Sequence, residues 1–342
     1  MLLAQTEHSH MVRVTMLSFI LCLLTCGTSL AQTKAADGVQ NAADGIREVS
    51  VANMTAEAAS TDAFRRALKR LRPQLRFDSG EDFFPLSVSA ITNNVGNRLV
   101  REFNNQTIAE RLPGGKELRI GYLHGGGKYP NGDDILNNDK VIERHQSKDD
   151  YFEDAAKLQA DSRYGNRIYG RLILTRDDGR VTGAWLQYWL YYYYNDFPYG
   201  PTGGDHEGDW ELVQIKLDAN AVPVYAVYSH HGKASKCGWS QVRKERSRPI
   251  VYVALGSHAN YFRAGVHGHD LSNDGGKHRD MRRLITIGSN SPRWLNWPGF
   301  WGGTKAEGPF GANSPRGPKM QKKMWDPDIF AGEAEAADDC NN

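Results

Sequence analysis

Thr182-Gly183-Ala184-Trp185-Leu186-Gln187-Tyr188-Trp189-Leu190-Tyr191-Tyr192-Tyr193-Tyr194 is a long run of large aromatic and aliphatic residues, and after Gly183 neither Gly nor Pro interrupts it. Such side chains favour a pleated, at least half-buried backbone, so the run reads as a strand. It closes on Asn195-Asp196. A Gly- and Pro-bearing interval follows, and then a second run, Glu211-Leu212-Val213-Gln214-Ile215-Lys216-Leu217. Asn220-Ala221-Val222-Pro223 supplies turn chemistry, and Val222–Ser229 is a third strand candidate. Consecutive strands joined by short turns are antiparallel neighbours. In Tyr191-Tyr192-Tyr193-Tyr194 the expectation is strand filling, with alternate rings buried.

Outward from this centre, Glu117–Leu123, Arg167–Thr175, Pro249–Leu255 and Leu284–Ile287 are further strand candidates between Gly, Pro, Asn and Asp clusters. Ser60-Thr61-Asp62 caps a basic amphipathic helix over Ala63–Leu71, which Pro73 ends. A second short helix is expected near Ile91–Phe103, and the polar stretch Asp133–Asp161 reads as an inserted loop or edge helix. After Trp294 the chain turns rich in Gly, Pro and Trp and is expected to wrap the sheets as irregular structure. The pattern predicts a mainly β protein, an antiparallel β-sandwich with marginal helices. Residues 59–330 form one β-rich domain in this reading, with 32–58 a flexible leader and 331–342 a disordered tail.

The amino terminus reads as a secretory signal over 1–31: Arg13, the apolar run Met16–Leu24, then small residues at Ser29-Leu30-Ala31. That run falls short of the roughly 20 apolar residues of a spanning helix. The expected location is secreted or extracytoplasmic. Cys237 and Cys340 remain after cleavage, and spacing leaves open whether they pair or stay as thiols. The formal net charge is +2. The signal removes one Arg and one Glu, so the balance is unchanged and points away from nucleic acid as a partner.

The densest polar cluster is Asp196 followed by Gly203-Gly204-Asp205-His206-Glu207-Gly208-Asp209-Trp210-Glu211. Asp209 and Glu211 stand two apart at a strand start, so both carboxylates project from one face. His206 precedes them on a glycine-flexed turn, and Asp196 ends the preceding strand. Carboxylates converging at strand ends repel one another unless a cation joins them. Oxygen-rich ligation with an imidazole favours Mg²⁺, Ca²⁺ or Mn²⁺ over a thiolate-type zinc site. The candidate ligands are therefore Asp196, His206, Asp209, Glu211 and, from Gly256-Ser257-His258-Ala259, His258. Asp205, Glu207, Trp210 and His230 are candidates for the surrounding support.

These residues carry two resemblances. Gly204–Glu211, with Phe77-Asp78 through Phe84-Pro85, Tyr252–Ala259, Phe300-Trp301-Gly302-Gly303 and Gly317-Pro318, is similar to the vacuolar protein sorting-associated protein sixty-two family over roughly residues 72–327. More distantly, the chain resembles the necrosis- and ethylene-inducing peptide-like proteins, secreted β-sandwiches with a Gly-His-Arg-His-Asp-Trp-Glu heptapeptide and a bound divalent cation. That resemblance implies metal-site roles for His206, Asp209 and Glu211, and for Asp196 and His258 by position. It also implies recognition of sphingolipid headgroups and toxin-like damage to plant membranes. The chain departs from the heptapeptide at Glu207, in place of Arg, and at Gly208, in place of the second His.

Three functions follow as expectations. The first is a secreted protein whose divalent cation bridges it to a membrane or glycan headgroup. The second is a metal-dependent hydrolase in which His258 or Glu207 moves protons. The third is an envelope or trafficking component with a structural ion.

Overall fold

The computed structural model describes residues 57–92, 98–103, 106–110, 134–137, 148–197, 204–268, 272–302 and 314–340. The signal segment 1–31, nearly all of the leader and the strand candidate Glu117–Leu123 lie outside these residues. In chain order, helix α1 (57–70) is followed by β1 (Gln74–Phe77), α2 (Ser89–Thr92), β2 (Arg98–Phe103), β3 (Gln106–Glu110) and β4 (Asp134–Asn137). Next come α3 (Lys148–Ala160), β5 (Arg167–Asp177), β6 (Arg180–Asn195), β7 (His206–Asp218), β8 (Pro223–His230) and β9 (Lys233–Gly238). Then follow β10 (Lys244–Glu245), β11 (Arg248–Val253), β12 (Asn260–Tyr261), β13 (Lys277–Asp280) and β14 (Arg283–Ile287). Short helices α4 (Lys322–Trp325) and α5 (Pro327–Gly332) and strand β15 (Glu335–Ala336) complete the order.

The main sheet has seven strands in the order β14-β5-β6-β7-β8-β9-β15. Its five central strands are antiparallel hairpin neighbours, as the turn chemistry between them requires. The edges differ. β14 runs parallel to β5, and β15 runs parallel to β9. The second sheet, β10-β11-β1-β13 with β12 beside β11, is also mixed, because β1 pairs with β11 in parallel. The mainly β expectation therefore holds, and the all-antiparallel sandwich is corrected to two mixed sheets. The reason is order along the chain: β1, β14 and β15 are distant in sequence from the strands they pair with in parallel, β1 between β11 and β13 and the other two at sheet edges, so none joins its parallel partner through a hairpin.

Both faces of β6 are covered. On one face Trp185, Trp189, Tyr191 and Tyr193 pack with Trp210, Trp297, Trp301 and the apolar side of α3 and α5. On the other, Leu186, Tyr188, Leu190 and Tyr192 meet α1 and the second sheet through Phe64, Leu68, Phe77 and Val253. Hence all four residues of the tyrosine run are buried, not alternate ones. A strand covered on both faces loses the period-two polarity of a half-exposed one. Two fully buried glutamines fasten the C-terminal wrap to this sheet. Gln187 donates to Gln214 (3.2 Å) and to the Met324 carbonyl (2.9 Å), and Gln214 donates to the Pro327 carbonyl (3.1 Å).

Other expectations shift. The amino-terminal helix is already formed at 57, the first described residue and six residues before Ala63. The short helix expected over Ile91–Phe103 is two elements, the single turn α2 and strand β2. β7 starts at His206, five residues earlier than Glu211, so the segment His206–Glu211 of the polar cluster is strand. Residues 331–342, expected as a disordered tail, contain β15, and Cys340 forms a disulfide with Cys237. Cross-linking and edge pairing supply the order that the polar sequence of this segment does not announce. Among the described residues no helix is long and apolar enough to cross a membrane.

Candidate functional site

The polar cluster lies where β6 ends and β7 begins, facing the second sheet. Opposite-strand register sets Tyr192 beside Asp209 and Leu190 beside Glu211, so the two carboxylates share the face that carries Tyr192. Gly208 then reverses the alternation. Its φ is +61°, and a Cβ there would stand 1.9 Å from the Trp301 carbonyl oxygen. Left-handed backbone of this kind is open to glycine at little cost. Beyond the reversal, Glu207 turns to the aromatic face, where it accepts the Tyr151 hydroxyl at 2.7 Å. His206 turns back towards Asp209 and contributes to holding that carboxylate ionised.

Asp209 is fully hydrogen-bonded although buried. Its Oδ1 accepts the Trp210 backbone N–H (2.8 Å); its Oδ2 accepts Asn195 Nδ2 (3.2 Å) and His258 Nδ1 (3.0 Å). Burial by itself would raise its pKa. The His258 hydrogen bond and charge, then His206 and Asn195, outweigh burial and hold the carboxyl below its ordinary value. His258 has no exposed surface and lies flat on the Tyr192 ring, with centroids 3.8 Å apart. Its Nε2 is 3.9 Å from Glu81 Oε1 and has no hydrogen-bond partner. Burial, then Glu211, Asp209 and Glu81, pushes the Tyr192 phenol well above its usual range, so it stays neutral.

Glu211 Oε2 accepts the Ser229 hydroxyl and Asn260 Nδ2 (3.4 Å). The acceptor oxygens Asn195 Oδ1 and Asn260 Oδ1 are buried without a donor. Glu81, nearly fully buried, holds the turn after β1 by accepting the Phe83 N–H (2.8 Å) and the Gly256 N–H (2.8 Å). Gly256, at φ +69°, lets its loop approach Asp196, whose N–H donates to the Gly256 carbonyl at 3.1 Å.

The predicted ligands thus divide into two groups. Asp209, Glu211, His206 and His258 gather between the sheets. Asp196, with Asp205, lies at the rim, and there both meet the ammonium of Lys148 on α3; Asp205 is 3.8 Å from it. Burial opposes that charge, but the Asp196 hydrogen bond and charge, and then Asp205, raise the Lys148 pKa. Among the support candidates, Trp210 packs in the aromatic core and Glu207 faces Tyr151, while His230 bonds Ser235 (2.8 Å) and stacks on Tyr261. Glu81, Asn195, Ser229, Asn260, Lys148 and Tyr151 complete the surroundings and were not among the sequence candidates. Glu81 sits in an acidic turn between aromatic residues, which is the one local signal it offers.

The donor set suits a hard cation in type. His206 Nδ1 meets the Gly208 carbonyl at 2.8 Å, so that nitrogen donates and Nε2 is the one left to face a ligand. His258 Nδ1 is likewise engaged by Asp209, which leaves its Nε2 without a hydrogen-bond partner. An imidazole fixed through one nitrogen with the other open is how a histidine ligand is held. As placed, however, no three Asp, Glu, His or Cys side chains among the described residues stand close enough together to hold one ion.

No family model matches the chain. A Saccharomyces cerevisiae vacuolar protein sorting-associated protein, TDA6, is 27% identical over 122 residues, 29% of this chain and 25% of the yeast protein. Vacuolar protein sorting-associated protein 62 of the same yeast is 30% identical over 108 residues, 26% of this chain and 23% of that protein. The chain thus spans about a quarter of the length of the curated relatives it matches. Among solved structures, one described as a toxin fold for microbial attack and plant defense covers 79% of this chain and 90% of its own, at 17% identity and a TM-score of 0.36. Necrosis and Ethylene inducing Protein 2, from the causal agent of cocoa's Witches Broom disease, covers 68% of this chain and 82% of its own, with 16% identity and a TM-score of 0.33. NLPPya in complex with glucosamine covers 48% of this chain and 67% of its own, with 19% identity and a TM-score of 0.29. Over roughly a quarter of its length, the chain is a distant relative of the two yeast vacuolar protein sorting-associated proteins.

Proposed function

We propose that the polar cluster between the sheets binds a divalent cation, Mg²⁺, Ca²⁺ or Mn²⁺, and that the loaded protein engages a polar headgroup of a lipid or glycan at a membrane or cell surface. The observation that carries this reading is the burial of Asp209, Glu211 and Glu81 around two histidines held through Nδ1, beside the undonated oxygens of Asn195 and Asn260. Buried acceptors in such number are costly without a cation to share. Asp209, Glu211, His206 and His258 would hold the ion, with Asn195 and Asn260 as neutral oxygen donors. Loading would exchange hydrogen bonds that Asp209 and Glu211 now make for bonds to the metal. Asp196 and Asp205, partly exposed at the rim, are placed to meet a ligand arriving from solvent. The Cys237–Cys340 disulfide supports an extracytoplasmic setting.

A structural ion is the second reading, and one observation favours it. Asp209 and Glu211 are each 7% exposed and His258 is 0% exposed, which leaves them little access to a ligand. Calorimetric titration of the purified protein with each ion, beside Asp209→Ala/Glu211→Ala, tests the site. Saturable binding absent from the variant is the expected result, and no binding by wild type removes the proposal. Flotation with liposomes and titration with glucosamine, with and without chelator, separate the readings. A headgroup-binding protein loses capture on chelation; a structural ion leaves capture unchanged and lowers only thermal stability.

A further inference from the structure

The far edge of the main sheet carries a second concentration of charge, of the opposite sign. A cleft of about 640 Å³ opens beside β14, and Lys69, Arg72, Arg163, Arg167, Arg282 and Arg283 line it with no carboxylate among the lining residues. The volume is that of a small-ligand site. These cations come from three segments: the end of α1, the approach to β5, and the start of β14. Only the fold brings them together.

Their arrangement works against the isolated protein. Arg167 and Arg283 are register partners across the β5/β14 pair, and like charges directly opposite on adjacent strands repel. Burial and then Arg283 depress the Arg167 guanidinium; burial and then Arg248 depress that of Arg72. The nearby acids offer partial relief. Asp161 pairs with Arg163 at 2.6 Å. Asp280 gives its short contact to Arg248, also 2.6 Å, while Arg72 and Arg282 each stand 4.0 Å from it. Arg72 Nε is buried without an acceptor. Arg167 spends its guanidinium on the carbonyls of Gly165, Ser162 and Arg163, which fixes it as a positive wall of the cleft.

We propose that this cleft is a binding site for a phosphomonoester group, carried either by a soluble molecule or by a membrane lipid. A phosphomonoester concentrates nearly two negative charges and three acceptor oxygens in one small group, which suits several converging guanidinium forks better than a single carboxylate would. The site is separate from the cluster around Asp209: β14 and β7 are three strand steps apart in the sheet, on the order of 15 Å at ~4.8 Å per step.

The test uses the full chain in two formats. Glycerol 3-phosphate, a soluble phosphomonoester, is titrated by calorimetry. In parallel, the protein is floated with phosphatidylcholine vesicles containing phosphatidic acid, or phosphatidylserine at matched surface charge. Lys69→Glu/Arg283→Glu reverses two exposed cations of the cleft, and Arg180→Glu/Lys322→Glu makes the same charge change on exposed residues elsewhere. Unaltered thermal unfolding confirms that each variant is folded. Saturable glycerol 3-phosphate binding, weakened about tenfold or more by the cleft variant and unchanged in the other, is expected for a soluble ligand. Capture by phosphatidic acid vesicles alone, lost in the cleft variant, assigns the group to a lipid. Equal weakening by both variants, equal capture by the two acidic lipids, or no saturable binding in either format overturns the proposal.

Discussion

His258 lies face to face on Tyr192, with ring centroids 3.8 Å apart and planes 6° from parallel, and its Nδ1 reaches Asp209 at 3.0 Å. One residue thereby joins the loop after β11 to β6 and β7 of the main sheet. It does so at φ +57°, a left-handed conformation that a non-glycine residue holds only against a cost.

His258→Ala removes the stack and one of three donors to a buried carboxylate. A loss of about 2–4 kcal/mol in unfolding free energy is expected, read from urea denaturation. A change under about 0.5 kcal/mol would show that Asp209 gains nothing from the contact.

Gly208→Ala and Gly179→Ala separate conformation from space. Both glycines have positive φ, +61° and +74°, but a Cβ at 208 would stand 1.9 Å from the Trp301 carbonyl, whereas nothing lies within 4 Å at 179. Gly179→Ala should cost about 1–2 kcal/mol, the price of left-handed backbone alone. Gly208→Ala should cost several kcal/mol more or prevent folding, and equal melting temperatures for the two variants would refute the close approach of Trp301 to residue 208.

The Cys237–Cys340 disulfide spans a sequence separation of 103 residues. Chain-entropy arguments give a loop of that length about 4–5 kcal/mol, and measured losses are commonly about 2–5. Cys340→Ser should therefore lower stability by that amount. Dithiothreitol should do the same to wild type and nothing further to the variant.

Asp280 on β13 links Arg248 and Arg72 across the second sheet. Burial would raise its pKa, but the Arg248 hydrogen bond and charge, followed by Arg72 and Arg282, depress it. The folded value lies below the unfolded one, so the contribution is present above the unfolded carboxyl pKa, about 3.9, and is lost as pH falls through the folded value. Asp280→Asn should lower the melting temperature at pH 6, with the difference from wild type shrinking below pH ~4. A difference that stays constant to pH ~2 would assign the effect to packing.

Much of this molecule was legible in its sequence because the signals are local. Hydrophobic runs and turn residues located β5, β6, β8, β11 and β14 to within a few residues, since strand formation answers to neighbouring side chains. The two-residue spacing of Asp209 and Glu211 put them on one face by strand geometry alone, and the same cluster brought His206 into view. The tertiary structure decided everything that depends on distant segments meeting. It covered both faces of β6 and so buried all four tyrosines, brought His258 to Asp209, Asn260 to Glu211 and Glu81 to the Gly256 loop, and closed Cys237 on Cys340. It also gathered Lys69, Arg167 and Arg283 into one cleft. Charges far apart along the chain carry no sequence signal of their interaction, because Coulomb energy depends on distance in space and on burial, and both are set only when the sheets pack.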